Sequence, residues 1–265
     1  MVTALLVIVG FCAGLLGALT GIGGGVILTP VLSLYFGIPI RHAIGTSLVA
    51  VITTSAASSS VHLQRHTTDI RLGMTLELAT SVGAATMAYL VGYFNRSALE
   101  GLFAAFLLYS SITIISKHGK VKEDEDSSPA LNGELAIPPY EPRRYPLGLS
   151  ASLVAGALSG LLGIGGGPIK VPVMFIFMNV PLMVATATSN FMIGVTAAAS
   201  AIVYYRRGDI QPQIVAPLCV GVFVGSLLGA RLAPRIHTKI VVYLLVAVML
   251  YLAGHLTFHL LRGVL

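Results

Sequence analysis

Residues 14–32, GLLGALTGIGGGVILTPVL, return at 156–174 as GALSGLLGIGGGPIKVPVM, a shift of 142 positions. Gly21–Gly25 falls on Gly163–Gly167 without a change, Pro30 on Pro172, Pro39 on Pro181, Ala43 on Ala185, and Thr46-Ser47 on Thr188-Ser189. From 14 to 47, 15 of 34 positions are identical, and Asp69-Ile70 meets Asp209-Ile210 after a two-residue gap. A duplication of this kind means that whatever one half folds into, the other folds into as well. It is the sequence signature of many transporter folds.

The residues around the repeat are too apolar for a soluble domain. Hydrophobic residues make up 55% of the chain and charged residues 10%, with a mean hydropathy of +0.89. Soluble domains carry about 25% charged residues. Stretches such as 43–62, 73–93, 99–116, 213–233 and 240–260 approach the roughly 20 apolar residues that a spanning helix needs. They lack the polar–apolar alternation of an outer-membrane barrel. An all-α polytopic membrane protein follows. The net charge of +6 sits mostly in loops and at segment ends, where it serves orientation rather than nucleic-acid binding. Cys12 and Cys219 lie in apolar segments and read as small hydrophobes. The apolar start, Leu5–Leu19, has no basic residue before it and has an internal counterpart at Leu147–Gly163, so it reads as a span rather than a signal peptide.

Three parts are expected: a first repeat over 1–116, a disordered cytoplasmic linker over 117–146, and a second repeat over 147–265. The linker holds prolines at 129, 138, 139 and 142, the acidic run Glu123–Asp126, and Lys117, Lys120, Lys122, Arg143 and Arg144 beside the membrane segments. Each half reads as five helical pieces, near 2–20, 25–38, 43–62, 73–93 and 99–116, then 147–162, 167–180, 184–204, 213–233 and 239–260. A single helix over 2–38 would be about 55 Å long, too long for a bilayer core of about 30 Å. The first two pieces therefore make two crossings or a re-entrant hairpin, which inverts the halves and puts both termini outside the cytoplasm. The alternative is one broken crossing and three more per half, giving eight spans, parallel halves and cytoplasmic termini. Loop charge supports inversion at Asn95–Ala98 against Arg231–Lys239, but not at Arg65–Arg71 against Arg206–Asp209.

The glycine clusters are the candidate site. Consecutive glycines at the start of a helix free backbone N–H groups to form an anion-binding nest, helped by the helix dipole. Irregular backbone in a membrane is tolerated only where protein buries it or water lines it. Gly21, Gly23, Gly24 and Gly25 form one such turn, and Gly163, Gly165, Gly166 and Gly167 the other. The competing reading is close helix packing through small residues. Lys170, three residues past the second cluster where the first half has Leu28, would add a fixed positive charge, or else snorkel to the interface. Thr46 and Ser47, with Thr188, Ser189 and Asn190, could supply donors to oxyanion oxygens, or bind helices together. Glu77 could relay protons, but it sits one turn inside its segment and reads rather as an interfacial carboxylate. His62/His66 and His255/His259 have i,i+4 spacing but no third ligand, so no metal is expected. No HExxH, GxSxG, Walker loop or CxxC is present, so neither an enzyme nor a cofactor is expected.

The doubled pattern GIGGGVILTP and GIGGGPIKVP, a Thr-Ser pair after each, and the loops RHTTDI and RRGDI resemble the TauE/SafE sulfite exporter family, also called the sulfonate uptake permeases. The likeness covers nearly the whole chain outside the linker. It implies permeation of small sulfur-containing anions such as sulfite, sulfoacetate or other organosulfonates, by export or uptake, in a prokaryotic plasma or inner membrane. Without a nucleotide-hydrolysis motif the transport would be secondary or channel-like, with a proton or sodium ion as the candidate coupling ion. The family motif falls on Gly21, Gly23, Gly24, Gly25, Pro30, Gly163, Gly165, Gly166, Gly167 and Pro172. The competing functions are a channel for small solutes and a non-transporting membrane assembly factor or enzyme.

Overall fold

The computed structural model describes residues 2–117, 140–233 and 238–262. Glu123–Asp126, Lys120 and Lys122 lie outside the described residues, as do the side chains of Lys239 and His259. The described residues form helices and no strands. The first five helices are α1 (Val2–Thr20), α2 (Gly25–Phe36), α3 (Ile40–Gln64), α4 (Ile70–Leu90, extended by a 3-10 turn at Val91–Tyr93) and α5 (Arg96–Lys117). The next five are α6 (Tyr145–Leu162), α7 (Gly167–Pro172, running into a π turn at Val173–Phe177), α8 (Leu182–Arg206), α9 (Pro212–Leu232) and α10 (Thr238–Arg262). Seven of these helices are long and apolar enough to cross a membrane, and α10 adds an apolar stretch at Tyr243–Phe258. The chain is an all-α polytopic membrane protein. Large apolar side chains point outward where lipid would be, among them Ile8, Leu78, Val82, Val220 and Phe223.

Local sequence sets the boundaries. α3 and α8 begin directly after Pro39 and Pro181, whose extended backbone conformations end the preceding turns. They start a few residues earlier than hydropathy alone predicts. α4 is capped by Asp69, whose Oδ1 accepts the Leu72 N–H at 2.9 Å. α6 starts at Tyr145, two residues before the predicted boundary. Tyr140, in the sequence-predicted linker, donates from its hydroxyl to Asp69 Oδ2 at 2.7 Å. Burial, and then this bond to the carboxylate, hold the phenol well above its usual range.

Which ends meet fixes the direction of each helix. α2 runs antiparallel to α3: Thr29 donates to Ser47 Oγ at 2.7 Å, and Gly25 sits at Val51. The start of α3 meets the end of the α4 unit, where Arg41 donates to the Phe94 carbonyl at 2.6 Å. α4 runs parallel to α6, with Gly156 against Thr80 and Gly160 against Ala84 and Ala88. α1 runs parallel to α9, with Gly14 against Val222 and Ser226 and Gly229 against Leu15 and Ala18. Tyr35, near the end of α2, bonds Tyr251 in the later part of α10 at 2.8 Å. Small residues at these contacts let backbones approach closely, which is how membrane helices associate without a hydrophobic driving force between them.

These directions put the start of α1 and the end of α10 on one side, called here the terminal side. The end of α5 and the start of α6 lie on the other, the linker side. The halves are therefore inverted, which favours the hairpin alternative over parallel halves. They are also interleaved: the pair α1–α9 mirrors α6–α4, and α3 and α8 cross as a matched antiparallel pair. Each half has four full-length helices and one short one. α2 and the α7 unit are only about 16–18 Å long, and each starts at the middle of the long helix beside it. Gly25 lies at Val51 near the centre of α3, and Gly165 lies at Ile193 near the centre of α8.

Candidate functional site

The two glycine turns meet at the centre of the interleaved halves. Val51 and Ile193, themselves aligned mates in the repeat, wedge between them. A Cβ on Gly25 would collide with the Gly163 carbonyl, and one on Gly167 with the Gly21 carbonyl. Gly21 and Gly163 hold matching left-handed conformations, φ 70° and 71°, which turn each chain back from its first helix. The two turns differ at one position. Gly166 is left-handed at φ 79°, whereas its mate Gly24 is right-handed at φ −57°.

All ten residues of the two clusters are buried. Among the described residues, the N–H groups of Gly24, Gly25 and Val26 have no backbone acceptor, nor do those of Gly166 and Gly167. Others in the turns are satisfied: Gly165 N–H donates to Ser159 Oγ at 2.9 Å and Gly163 N–H to the Ser159 carbonyl at 2.8 Å. Buried backbone N–H groups are nearly always paired. Two helix starts whose first N–H groups lack a backbone acceptor among the described residues are thus brought together near the centre of the long helices, each beside a carbonyl of the other half's turn.

The predicted hydroxyls divide by role. Ser47 Oγ faces the Gly163 carbonyl at 3.3 Å, and Ser189 Oγ donates to the Gly21 carbonyl at 2.9 Å. Each half's serine thus ties down the other half's glycine turn. Thr188 Oγ1 accepts the Asp69 N–H at 3.0 Å. Its mate Thr46 is fully buried, and its hydroxyl has no partner among the described residues. Asn190 donates to the Ala18 carbonyl at 3.1 Å and lies 3.5 Å from His62 Nε2, while its buried Oδ1 is unpartnered among the described residues. Ser47, Ser189 and Thr188 therefore hold backbone in place. Thr46 and Asn190 keep unspent polar atoms.

Lys170 does not snorkel. Its side-chain exposure is 0%, and its ammonium lies 3.2 Å from Glu77 Oε2, whose side chain is 4% exposed. The ammonium also donates to Thr196 Oγ1 at 2.9 Å, and Thr196 in turn donates to Glu77 Oε1 at 2.6 Å. Ser81 donates to the same oxygen at 3.0 Å. Glu77 is thus not the interfacial carboxylate that its place along the segment suggests. It lies about 10 Å along α4, where α6 and α8 pack on α4 and the side chains of Lys170 and Thr196 reach it. Sequence reasoning missed this pairing, although opposite charges at membrane depth are expected to find each other.

An open groove of about 420 Å³ lies away from the glycine crossing, between the linker-side ends of α3 and α9. Val61, Gln64, Arg65, Leu228, Arg231 and Leu232 line it. Arg65 caps the end of α9 by donating to the Ala230 carbonyl at 3.0 Å and the Arg231 carbonyl at 3.2 Å. The groove is a basic surface feature, separate from the buried donors.

Comparison with known proteins gives a consistent assignment. The family described as Sulfite exporter TauE/SafE matches residues 6–256. YunE of Bacillus subtilis (strain 168), named as a probable membrane transporter protein, is 28% identical over 218 residues, covering 78% of this chain and 80% of its own length. A protein from Methanocaldococcus jannaschii, named in the same way, is 33% identical over 208 residues, covering 76% of this chain and 71% of its own. YdhB of Bacillus subtilis, again named as a probable membrane transporter protein, is 27% identical over 217 residues, covering 82% of this chain and 84% of its own. No solved structure matches the chain.

Proposed function

The chain belongs to the TauE/SafE sulfite exporter family, and from that premise we propose that it is a secondary transporter of small sulfur-containing anions, sulfite or an organosulfonate. It is a multi-pass protein of the cell membrane, and its relatives are named as membrane transporters. The anion is held where the two GxGGG turns meet. One observation supports this reading: two half-length helices start near the centre of the long helices with buried N–H groups that have no backbone acceptor among the described residues, and the two turns lie against each other.

The chemistry suits an oxyanion. A sulfonate or sulfite has three oxygens, each able to accept more than one hydrogen bond. The N–H groups of Gly24, Gly25, Gly166 and Gly167, with the Thr46 hydroxyl, are donors of the right kind. Positive helix ends stabilise the charge without a mobile counter-ion. Ser47, Ser189, Thr188, Gly21, Gly23, Gly163 and Gly165 shape and hold the turns. The flanking basic residues support a cytoplasmic linker over 117–146. The groove at Arg65 and Arg231 then draws anions to that side. The coupling ion is a proton or sodium.

Thermal-shift measurement on the purified protein with sulfite, thiosulfate, sulfoacetate and taurine tests this reading. At least one of the anions should raise the unfolding temperature in a saturable way at constant ionic strength, and Gly166→Val should abolish that shift. Identical shifts with chloride alone would remove the sulfur-anion assignment. Saturable flux inhibited by anions in proteoliposomes separates a transporter from an open channel, and absence of any flux would favour a non-transporting protein.

A further inference from the structure

We propose that Glu77 and Lys170 form a proton-operated latch, in which a proton taken up by Glu77 frees the Lys170 ammonium to pair with the transported anion. The proposal rests on the anion site described above and adds its coupling ion.

The geometry sets both halves of the exchange. The Lys170 stem folds back over the second glycine turn, its Cε 3.3 Å from where a Cβ on Gly166 would sit. Its ammonium is thus tethered beside the unpaired donors of Gly166 and Gly167 but spends its charge on Glu77 at 3.2 Å. Glu77 is held ready by Thr196 and Ser81 on its other oxygen. In this state the buried charges cancel. If Glu77 alone takes up a proton, one uncompensated cation remains in a medium that penalises it heavily. If an anion arrives with that proton, the charges cancel again: neutral carboxyl, ammonium, anion. Either state is cheap to carry through the membrane and the mixed states are not, which makes one proton accompany each anionic charge. On release, the proton returns to water and the ammonium returns to Glu77.

Two further features support a moving part here. Lys170 sits on α7, a six-residue helix that follows left-handed Gly166 and gives way to a π turn at Val173–Phe177. The device also exists once. In the repeat, Leu28 stands in the place of Lys170 and Pro217 in that of Glu77, and neither can carry charge.

Few other titratable groups can account for pH dependence at this position. On α4 these are Arg71 near its start and Tyr89 near its end, with Tyr93 beyond, each about 9 Å or more from Glu77 along the helix. α6 offers Tyr145 at its first residue, and α8 offers Tyr204, Tyr205 and Arg206 in its last turn. The Tyr204 hydroxyl is engaged with the Gly160 carbonyl at 2.9 Å. On the described α7 unit, Lys170 is the sole titratable group.

Proteoliposomes with radiolabelled methanesulfonate, which stays ionised at every working pH, test the latch. The wild type should exchange methanesulfonate at equal concentrations across the membrane. It should also accumulate it against a gradient when a pH difference is imposed, by up to about tenfold per pH unit. Glu77→Gln, reconstituted in equal, folded amounts, should lose the response to the pH difference and with it accumulation. A pH-sensitive dye inside wild-type vesicles should report proton movement on addition of methanesulfonate, a readout that does not depend on the variant folding. Exchange without pH-driven accumulation or dye response in the wild type would overturn the latch and leave the anion site standing, as would Glu77→Gln that accumulates like wild type. If neither methanesulfonate nor sulfite exchanges in the wild type, the anion site falls and the latch with it.

Discussion

Ser189 reaches across from one half of the protein to hold the Gly21 carbonyl of the other at 2.9 Å. Ser47 makes the mirrored approach to Gly163 at 3.3 Å. Removing Ser189 leaves a buried carbonyl unpaired, which costs about 1–3 kcal/mol. Ser189→Ala should therefore lower the unfolding temperature in detergent, and Ser189→Thr should retain most of it. Equal unfolding temperatures for Ser189→Ala and wild type would show that the bond is idle.

The two central glycines should respond differently to the same change. Gly166 is left-handed, so any side chain adds strain of about 1–3 kcal/mol, and a Cβ would also press on Lys170 Cε. Gly24 is right-handed and escapes that strain, but a Cβ there meets the Ala13 carbonyl oxygen at 2.9 Å. Gly166→Ala should thus lose more stability than Gly24→Ala, while Val at either position abolishes anion transport. Normal transport by both valine variants would make the turns packing devices.

The buried pair should show strong coupling in a double-mutant cycle. Removing one partner strands a charge, at about 3–5 kcal/mol, while replacing both by apolar residues is close to neutral. Lys170→Met alone should unfold well below wild type, and Lys170→Met with Glu77→Leu should recover most of the loss. Additive losses in the double variant would mean that the two side chains do not interact in the membrane.

Much of this architecture could be read from the repeat. The five pieces per half, the mid-membrane breaks and the turn glycines all follow from one duplicated segment and the length of a bilayer. The partners of side chains did not follow. Lys170 was placed beside the nest by its three-residue spacing, but its charge is turned toward Glu77, 93 positions away in sequence. Position along its own helix makes Glu77 read as interfacial, whereas its burial comes from α6 and α8 packing on α4 and from Lys170 and Thr196 reaching its carboxylate. Ser47 and Ser189 were legible as a recurring pair, yet their role as ties between halves depends on interleaving, which no local pattern carries. The difference between Gly24 and Gly166 was also invisible, because identical residues hold opposite backbone conformations.

Inversion makes a topological prediction. With the linker in the cytoplasm, a C-terminal green fluorescent protein should stay dark and a C-terminal alkaline phosphatase should be active. The opposite pattern would turn the whole molecule over in the membrane. Reporters placing the termini on opposite sides would contradict the inverted halves themselves.

The central claim is that a sulfur-containing anion crosses at the paired glycine turns. Its most direct test is uptake of radiolabelled sulfite into proteoliposomes preloaded with unlabelled sulfite, comparing wild type with Gly166→Val reconstituted in equal, folded amounts. Uptake should saturate in the wild type, be competed by sulfoacetate, and drop to the level of empty vesicles in the variant. Uptake in the variant equal to that in wild type would contradict the claim, as would wild-type uptake no faster than in empty vesicles.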